Sequence, residues 1–223
     1  MKHKNLMLVA ITFFFIGLTG LQAQTVRDID GNVYKTITIG SQVWMAENLK
    51  TTKYRNGDLI ATTTTATFDI SQESSPVYQW AYEGNESNVA IYGRLYTWYA
   101  VTDSRNVCPT GWHLPSDTEW ITLAANLEGE RIAAGKLKET GTTHWLSPNT
   151  GATNETGFTA LPGGHRNING TYSFIGEIGY WWSSTEYSSA FAFYRGMNHY
   201  HTHFYTSNYI KGFGFSVRCL RDL

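Results

Sequence analysis

His199, His201 and His203 alternate along a short aromatic stretch near the end of the chain. On a strand, alternate residues share a face, so two histidines at i and i+2 can hold one metal ion. His199 and His203 would lie roughly 13 Å apart, too far for one ion. His165 is a third ligand only if folding brings it near, and a solvent-facing polar strand edge is the simpler reading. Asp28-Ile29-Asp30-Gly31 resembles the opening of a calcium loop, but the downstream Glu and the remaining oxygen ligands are missing. It reads as a turn, and no cofactor is expected. Ser183 and Ser184 have no G-x-S-x-G elbow around them, and loose Ser/His/Asp combinations arise from composition alone. Tyr180, Trp181 and Trp182 are consecutive, so a strand cannot turn all three rings inward. One of Trp181 and Trp182 is therefore expected to be open to a ligand, since an exposed Trp stacks on a sugar ring or anchors a protein partner. Trp44, Trp112 and Trp120 are assigned to the core.

The elements that must position these residues are mostly strands. The chain has 223 residues, 21 of them Gly, and 15% are aromatic, while sustained helical periodicity is nearly absent. That pattern predicts short strands and turns around one or two helices. Asp30-Gly31-Asn32 marks a turn into the alternating run Val33–Ile39, and Gly40-Ser41 turns again into Gln42–Met45. Val77–Tyr82 reads as a strand and Tyr92–Val101 as a short helix packed on a core. Ser116-Asp117-Thr118-Glu119 is a capping box, and Trp120, Leu123, Ala124 and Leu127 follow as one apolar stripe, which predicts a helix over 117–127 ended by Gly129. Candidate strands follow at Tyr180–Thr185, Phe191–Arg195, His199–Tyr205 and Phe213–Leu220.

Met1-Lys2-His3-Lys4 precedes an uncharged apolar stretch, Leu6 to Leu21, and Ala23 stands at a cleavage edge. This is the layout of a secretory signal over residues 1–23, and the stretch is short for a retained membrane anchor. No second apolar run of spanning length follows. Residues 24–223 then form one domain, large enough for its own core. Without Lys2 and Lys4 that domain carries 15 Lys and Arg against 18 Asp and Glu, so nothing predicts nucleic-acid binding. Its two cysteines, Cys108 and Cys219, are expected to pair in an oxidising compartment, the alternative being two buried thiols.

Several segments, in order along the chain, resemble the Fibrobacter succinogenes major paralogous domain family. They are Asp28–Tyr34, Ile39-Gly40-Ser41-Gln42-Val43-Trp44-Met45-Ala46-Glu47-Asn48-Leu49-Lys50 and Tyr92-Gly93-Arg94-Leu95-Tyr96. Further along come Cys108-Pro109-Thr110-Gly111-Trp112-His113-Leu114-Pro115-Ser116-Asp117-Thr118-Glu119-Trp120, Gly157–Gly164, Tyr180–Thr185 and Gly214–Cys219. The resemblance implies an exported bacterial protein. The Gly111–Trp120 and Ser216–Cys219 segments also resemble the wider C-type-lectin-like superfamily, which includes the formylglycine-generating enzymes. That implies an α+β mixed fold with short twisted antiparallel strands, one or two helices, long loops, paired termini and a disulfide from the helix region to the last strand.

The specific chemistries of that superfamily do not carry over. Formylglycine generation uses a closely spaced cysteine pair, and Cys108 and Cys219 are far apart in the sequence. Calcium-bridged lectins use Glu-Pro-Asn or Gln-Pro-Asp with Trp-Asn-Asp, and none of these occurs. The expectation is a secreted or cell-envelope, non-catalytic binding or adhesion module for a glycan or cell-surface polymer. Trp182, His165, Arg166, Arg195 and His201 are its candidate contacts. The alternatives are a structural envelope protein acting through protein–protein contacts and, more weakly, an enzyme.

Overall fold

The computed structural model describes residues 24–222. The expected export signal, residues 1–23, lies outside the described residues. A first five-stranded sheet runs in the order β1 (Thr25–Arg27), β2 (Val33–Ile39), β3 (Gln42–Met45), β12 (Leu220–Arg221) and β6 (Trp112–His113). Its pairs are all antiparallel. The alternating Val33–Ile39 run forms β2, and the Gly40-Ser41 turn fixes its register against β3, pairing Ile39 with Gln42. The ends of the described chain meet in this sheet, β12 sitting between β3 and β6.

The second sheet has the order β11 (Tyr205–Ile210), β10 (Phe191–Asn198), β9 (Ile178–Glu186), β7 (Gly163–Arg166) and β8 (Tyr172–Ile175). Only β7 against β9 is parallel. β4 (Gln79–Trp80) and β5 (Leu95–Tyr96) form a separate two-stranded pair. The helices are α1 (Ser87–Tyr92), α2 (Trp98–Val101), α3 (Asp117–Ala125) and α4 (Glu130–Leu137). α3 carries the capping box in full. The Ser116 hydroxyl accepts from the Glu119 amide, and the Glu119 carboxylate accepts from the Ser116 amide. Among the described residues no helix is long and apolar enough to cross a membrane.

Two apolar cores fill the molecule. One gathers Tyr96, Trp182, Tyr194, Phe215 and Val217 around the disulfide. The other gathers Trp44, Trp120, Phe158, Trp181 and Phe204 beneath α3 and α4. Trp44, Trp112 and Trp120 are all buried, as expected. Cys108 and Cys219 are bonded, with Cα atoms 5.9 Å apart.

The α+β, C-type-lectin-like architecture is not what the chain adopts. Strand accounts for 30% of the structure and helix for 15%, in two curled half-barrel sheets, a β-rich fold. The reason is local. Beyond α3, α4 is the only helix longer than six residues among the described ones, whereas β9, β10 and β11 run as one continuous antiparallel meander. Two strand assignments also shift. Residues 199–204 form a loop, and the strand expected there is displaced to Tyr205–Ile210. The 213–220 segment reaches its neighbours mainly through isolated bridges, at Gly214, Phe215 and Ser216. α4 begins directly after Gly129, the residue read as a stop, because Gly129 (φ 99°) turns the chain into a second helix.

Candidate functional site

β9, β10 and β11 bring a set of tyrosines to one face of the second sheet. Tyr194 pairs with Trp182 and Ser207, while Gly196 pairs with Tyr180 and Tyr205. With side chains alternating across the sheet, Tyr180, Tyr194, Tyr205 and Tyr209 share that face. Gly196 is required here, because a Cβ at this position would stand 2.2 Å from Cζ of Tyr205, whose ring lies across the glycine. Phe215 is the hub. The rings of Tyr180, Tyr194, Tyr209, His165 and Phe213 surround it with centroids 5.0, 5.1, 5.9, 6.1 and 6.2 Å away. Trp182 lies against Phe215 at 4.3 Å.

This ring cluster opens at its edges. Tyr209 is 38% exposed, and Phe174, 5.5 Å from the His165 ring, is 42% exposed. Phe174 sits at φ 66°, a left-handed conformation rare for a bulky residue, within β8 just before its turn into β9. At the other edge the His201 ring is 6.2 Å from Tyr205, and Tyr200 is 59% exposed. The loop bearing them is fastened from below. The buried Lys138 ammonium donates to the carbonyls of Thr150, Asn198 and His201 at 3.0, 3.0 and 3.1 Å. Burial pushes its pKa down to about 8.

Tyr180, Tyr194, His165 and Phe215 are themselves buried, and the cluster is exposed at its rim, at Phe174, Tyr200 and Tyr209. Burial lowers the His165 pKa to about 4, so the imidazole is uncharged, and its Nδ1 has no partner among the described residues. Burial raises Tyr180 and Tyr205, and the neighbouring phenols raise them further, so all stay protonated. Protonated phenols both donate and accept hydrogen bonds. The exposed rim rings, Phe174, Tyr200 and Tyr209, can stack on an apolar ring face.

The residues singled out from the sequence divide between this face and the scaffold. His165 and His201 lie in and beside it. Trp182 does not present a ring to ligand: it is 0% exposed, and its Nε1 donates to the Tyr96 carbonyl. Trp181 is equally buried, in the other core, with Nε1 donating to Asn48 Oδ1. The alternation of rings across β9 holds, but both faces of β9 are covered. Arg166 is buried, lies 4.0 Å over the Trp80 ring and donates to the carbonyls of Ala66 and Phe68, so it holds the 66–68 loop. Arg195 is buried against Asp117 at 2.7 Å and Glu130, tying α3 and α4 to β10. His199 donates from Nδ1 to the Ser147 carbonyl, and among the described residues no three His, Cys, Asp or Glu side chains gather as metal ligands. The sequence reading missed Phe174, Tyr194, Tyr205 and Tyr209. The alternation Tyr205-x-Ser207-x-Tyr209 carried the signal, and it was lost by placing the strand six residues early.

No curated protein and no solved structure matches the chain. A family model described as the Fibrobacter succinogenes major domain matches residues 37–221. The match runs from the last residues of β2 through β12, taking in the disulfide and the whole second sheet, and so the chain belongs to the Fibrobacter succinogenes major domain family.

Proposed function

We propose that the chain is an exported, non-catalytic module that binds a glycan or cell-surface polymer on the tyrosine face of its second sheet. The observation that carries this reading is the set of exposed aromatic rings, Phe174, Tyr200 and Tyr209, at the rim of the buried ring cluster. Large amphipathic rings of this kind are the side chains that dominate recognition surfaces. The disulfide supports export, because such bonds persist in oxidising compartments. The test is binding of the chain from Gln24 onward to a broad glycan and polysaccharide array, with and without a chelator. Specific binding that falls at least tenfold in Tyr209→Ala is expected; absence of binding across the array would sink the reading.

A protein-contact role in the envelope is favoured by a different observation. On the opposite face of β10, Tyr187 and Phe193 form an edge-to-face pair at 5.3 Å beside Phe191, and Tyr187 and Phe191 are exposed. Concentration-dependent self-association abolished by a Tyr187→Ser, Phe193→Ser double variant would support that role instead.

A further inference from the structure

We infer that a second binding site lies beside the β4–β5 pair, where Arg94 takes the carboxylate of one sugar-acid unit in place of Glu86. The site shares no residue with the tyrosine face, so it stands or falls independently of the reading above.

A cavity of about 240 Å³ lies there, with Thr62, Gly84 and Glu86 exposed at its mouth and Gln79, Trp80 and Arg94 buried in its wall. Pockets for drug-sized ligands run to roughly 300–1,000 Å³, so this one suits a single residue of a ligand. Arg94 is held from behind: its Nε donates to the Lys50 carbonyl at 3.1 Å and its Nη1 to Gln79 Oε1 at 3.0 Å. Its Nη1 and Nη2 also donate to the two carboxylate oxygens of Glu86, at 3.1 and 2.5 Å. This is the bidentate fork that selects a carboxylate. The two partners are unequal. The Arg94 side chain is 10% exposed and that of Glu86 68%. The Glu86 side chain caps no amide of α1. An ion pair with one partner so exposed adds little stability. An external carboxylate can therefore take the same fork while Glu86 turns into water.

The rest of the lining selects what is attached to that carboxylate. Gln79 is 5% exposed; its Oε1 is taken by Arg94, and its Nε2 has no partner among the described residues. The Thr52 hydroxyl donates to Asp30 at 2.8 Å and can still accept, and Thr62 adds an exposed hydroxyl. Trp80 and Ala66 supply an apolar wall. The Trp80 ring is fixed by its Nε1 bond to Thr63 at 2.8 Å and by the Arg166 guanidinium 4.0 Å over it. A carboxylate for the fork, hydroxyls for the amide and threonines, and a C–H face for the apolar wall are together the features of a uronic acid. Gly84 (φ 71°) lets the segment leading to Glu86 close on the far wall, since a Cβ there would lie 2.9 Å from Cβ of Ala66.

The experiment titrates the chain from Gln24 onward with galacturonate, galactose and acetate at low ionic strength, and repeats galacturonate at ~1 M salt. Galacturonate should bind about tenfold tighter than either of the others and weaken at high salt. Glu86→Gln removes the competing carboxylate and should tighten galacturonate by about fivefold. Arg94→Lys keeps the charge without the fork and should weaken it by about tenfold. Tyr209→Ala should leave it unchanged. Glu86→Gln alters only an exposed side chain, so its result stands even if Arg94→Lys fails to fold. Galactose binding as tightly as galacturonate would overturn recognition of the carboxylate, and acetate doing so would overturn the sugar-acid class. Galacturonate binding that Glu86→Gln leaves unchanged or weakens would overturn the exchange at Arg94, as would no binding to either protein. Loss of galacturonate in Tyr209→Ala would overturn the placement beside β4 and β5.

Discussion

His113 sits between two carboxylates, and its protonation couples parts of the chain far apart in sequence. Its Nδ1 lies 2.6 Å from Asp222 and its Nε2 2.8 Å from Glu119. Burial lowers the imidazole pKa, but the hydrogen bonds to Asp222 and Glu119 outweigh it, and the net shift is upward from 6.5. Both ring nitrogens can donate only when the ring is charged. Stability from this pairing is therefore fully present below the unfolded value of 6.5 and lost as pH rises through the higher folded value. Glu119 works in the other direction. Burial raises its pKa, but the bonds from Ser116 and His113 outweigh that and the net shift is downward, so its contribution is lost as pH falls below its ordinary 4.5. His113→Gln should thus cost most between those two values and progressively less as pH rises through the raised folded value. The groups are partly exposed, so the maximum cost should be on the order of 1 kcal/mol. Urea denaturation of both proteins across this range checks it; a gap that stays constant with pH would exclude the coupling. Other residues of the shared motifs are scaffold in the same sense. Asn48 Oδ1 accepts from Arg218 at 2.8 Å and from Trp181 at 2.8 Å, while its Nδ2 donates to the Tyr92 carbonyl. The motif residues around Asn48, His113, Glu119 and Arg218 thus hold the two halves of the chain together, and the rings read as the recognition surface lie mostly between them.

At the level of elements, the β10–β11 pair decides whether that surface exists. Gly196 lets the Tyr205 ring cross β10, so Gly196→Ala must displace the ring from its neighbours. Overpacking of this kind costs about 1–3 kcal/mol. The variant should lose that stability and also its ligand binding. Adding Tyr205→Ala should recover most of the stability but not the binding, a non-additivity that a double-mutant cycle reads directly. Additive losses would mean that the two residues do not interact. The same pair shows how far sequence reaches. The capping box at Ser116–Glu119 and the β2–β3 hairpin were legible because each is set by a few adjacent side chains. β9 and the start of β10 were placed closely, yet their burial was misjudged. Alternation tells which residues share a face, but not whether a second core covers the other face. α4 was missed because Gly129 terminates one helix and opens the next, and Gly135 sits inside α4 where a Cβ would lie 2.6 Å from the Gly151 carbonyl. Such a close approach follows from tertiary packing, and nothing in the local pattern announces it.

On the scale of the whole molecule, the disulfide joins the segment entering α3 to the segment entering β12, across a separation of 111 residues. The enclosed chain contains α3, α4 and the whole second sheet. Cys219 also lies where backbone contacts already close the first sheet: its carbonyl accepts from the Met45 amide, and the adjacent Leu220 pairs with Trp44 and His113. The folded chain therefore keeps the same neighbours with or without the sulfur bond, and the main effect of the bond falls on the unfolded state. Constraining a loop of about this length is worth roughly 4–5 kcal/mol in the chain-entropy model. That is a large part of the ~5–15 kcal/mol typical of a folded domain. A Cys108→Ala, Cys219→Ala double variant should still fold at low temperature. Its urea midpoint should fall by an amount matching that loss. Its m-value should rise, because an unfolded chain without the cross-link exposes more surface. A midpoint lowered with m unchanged would place the contribution in native packing around the two sulfurs instead. An unaltered midpoint would show that the strand contacts of β12 alone set the stability of the closure.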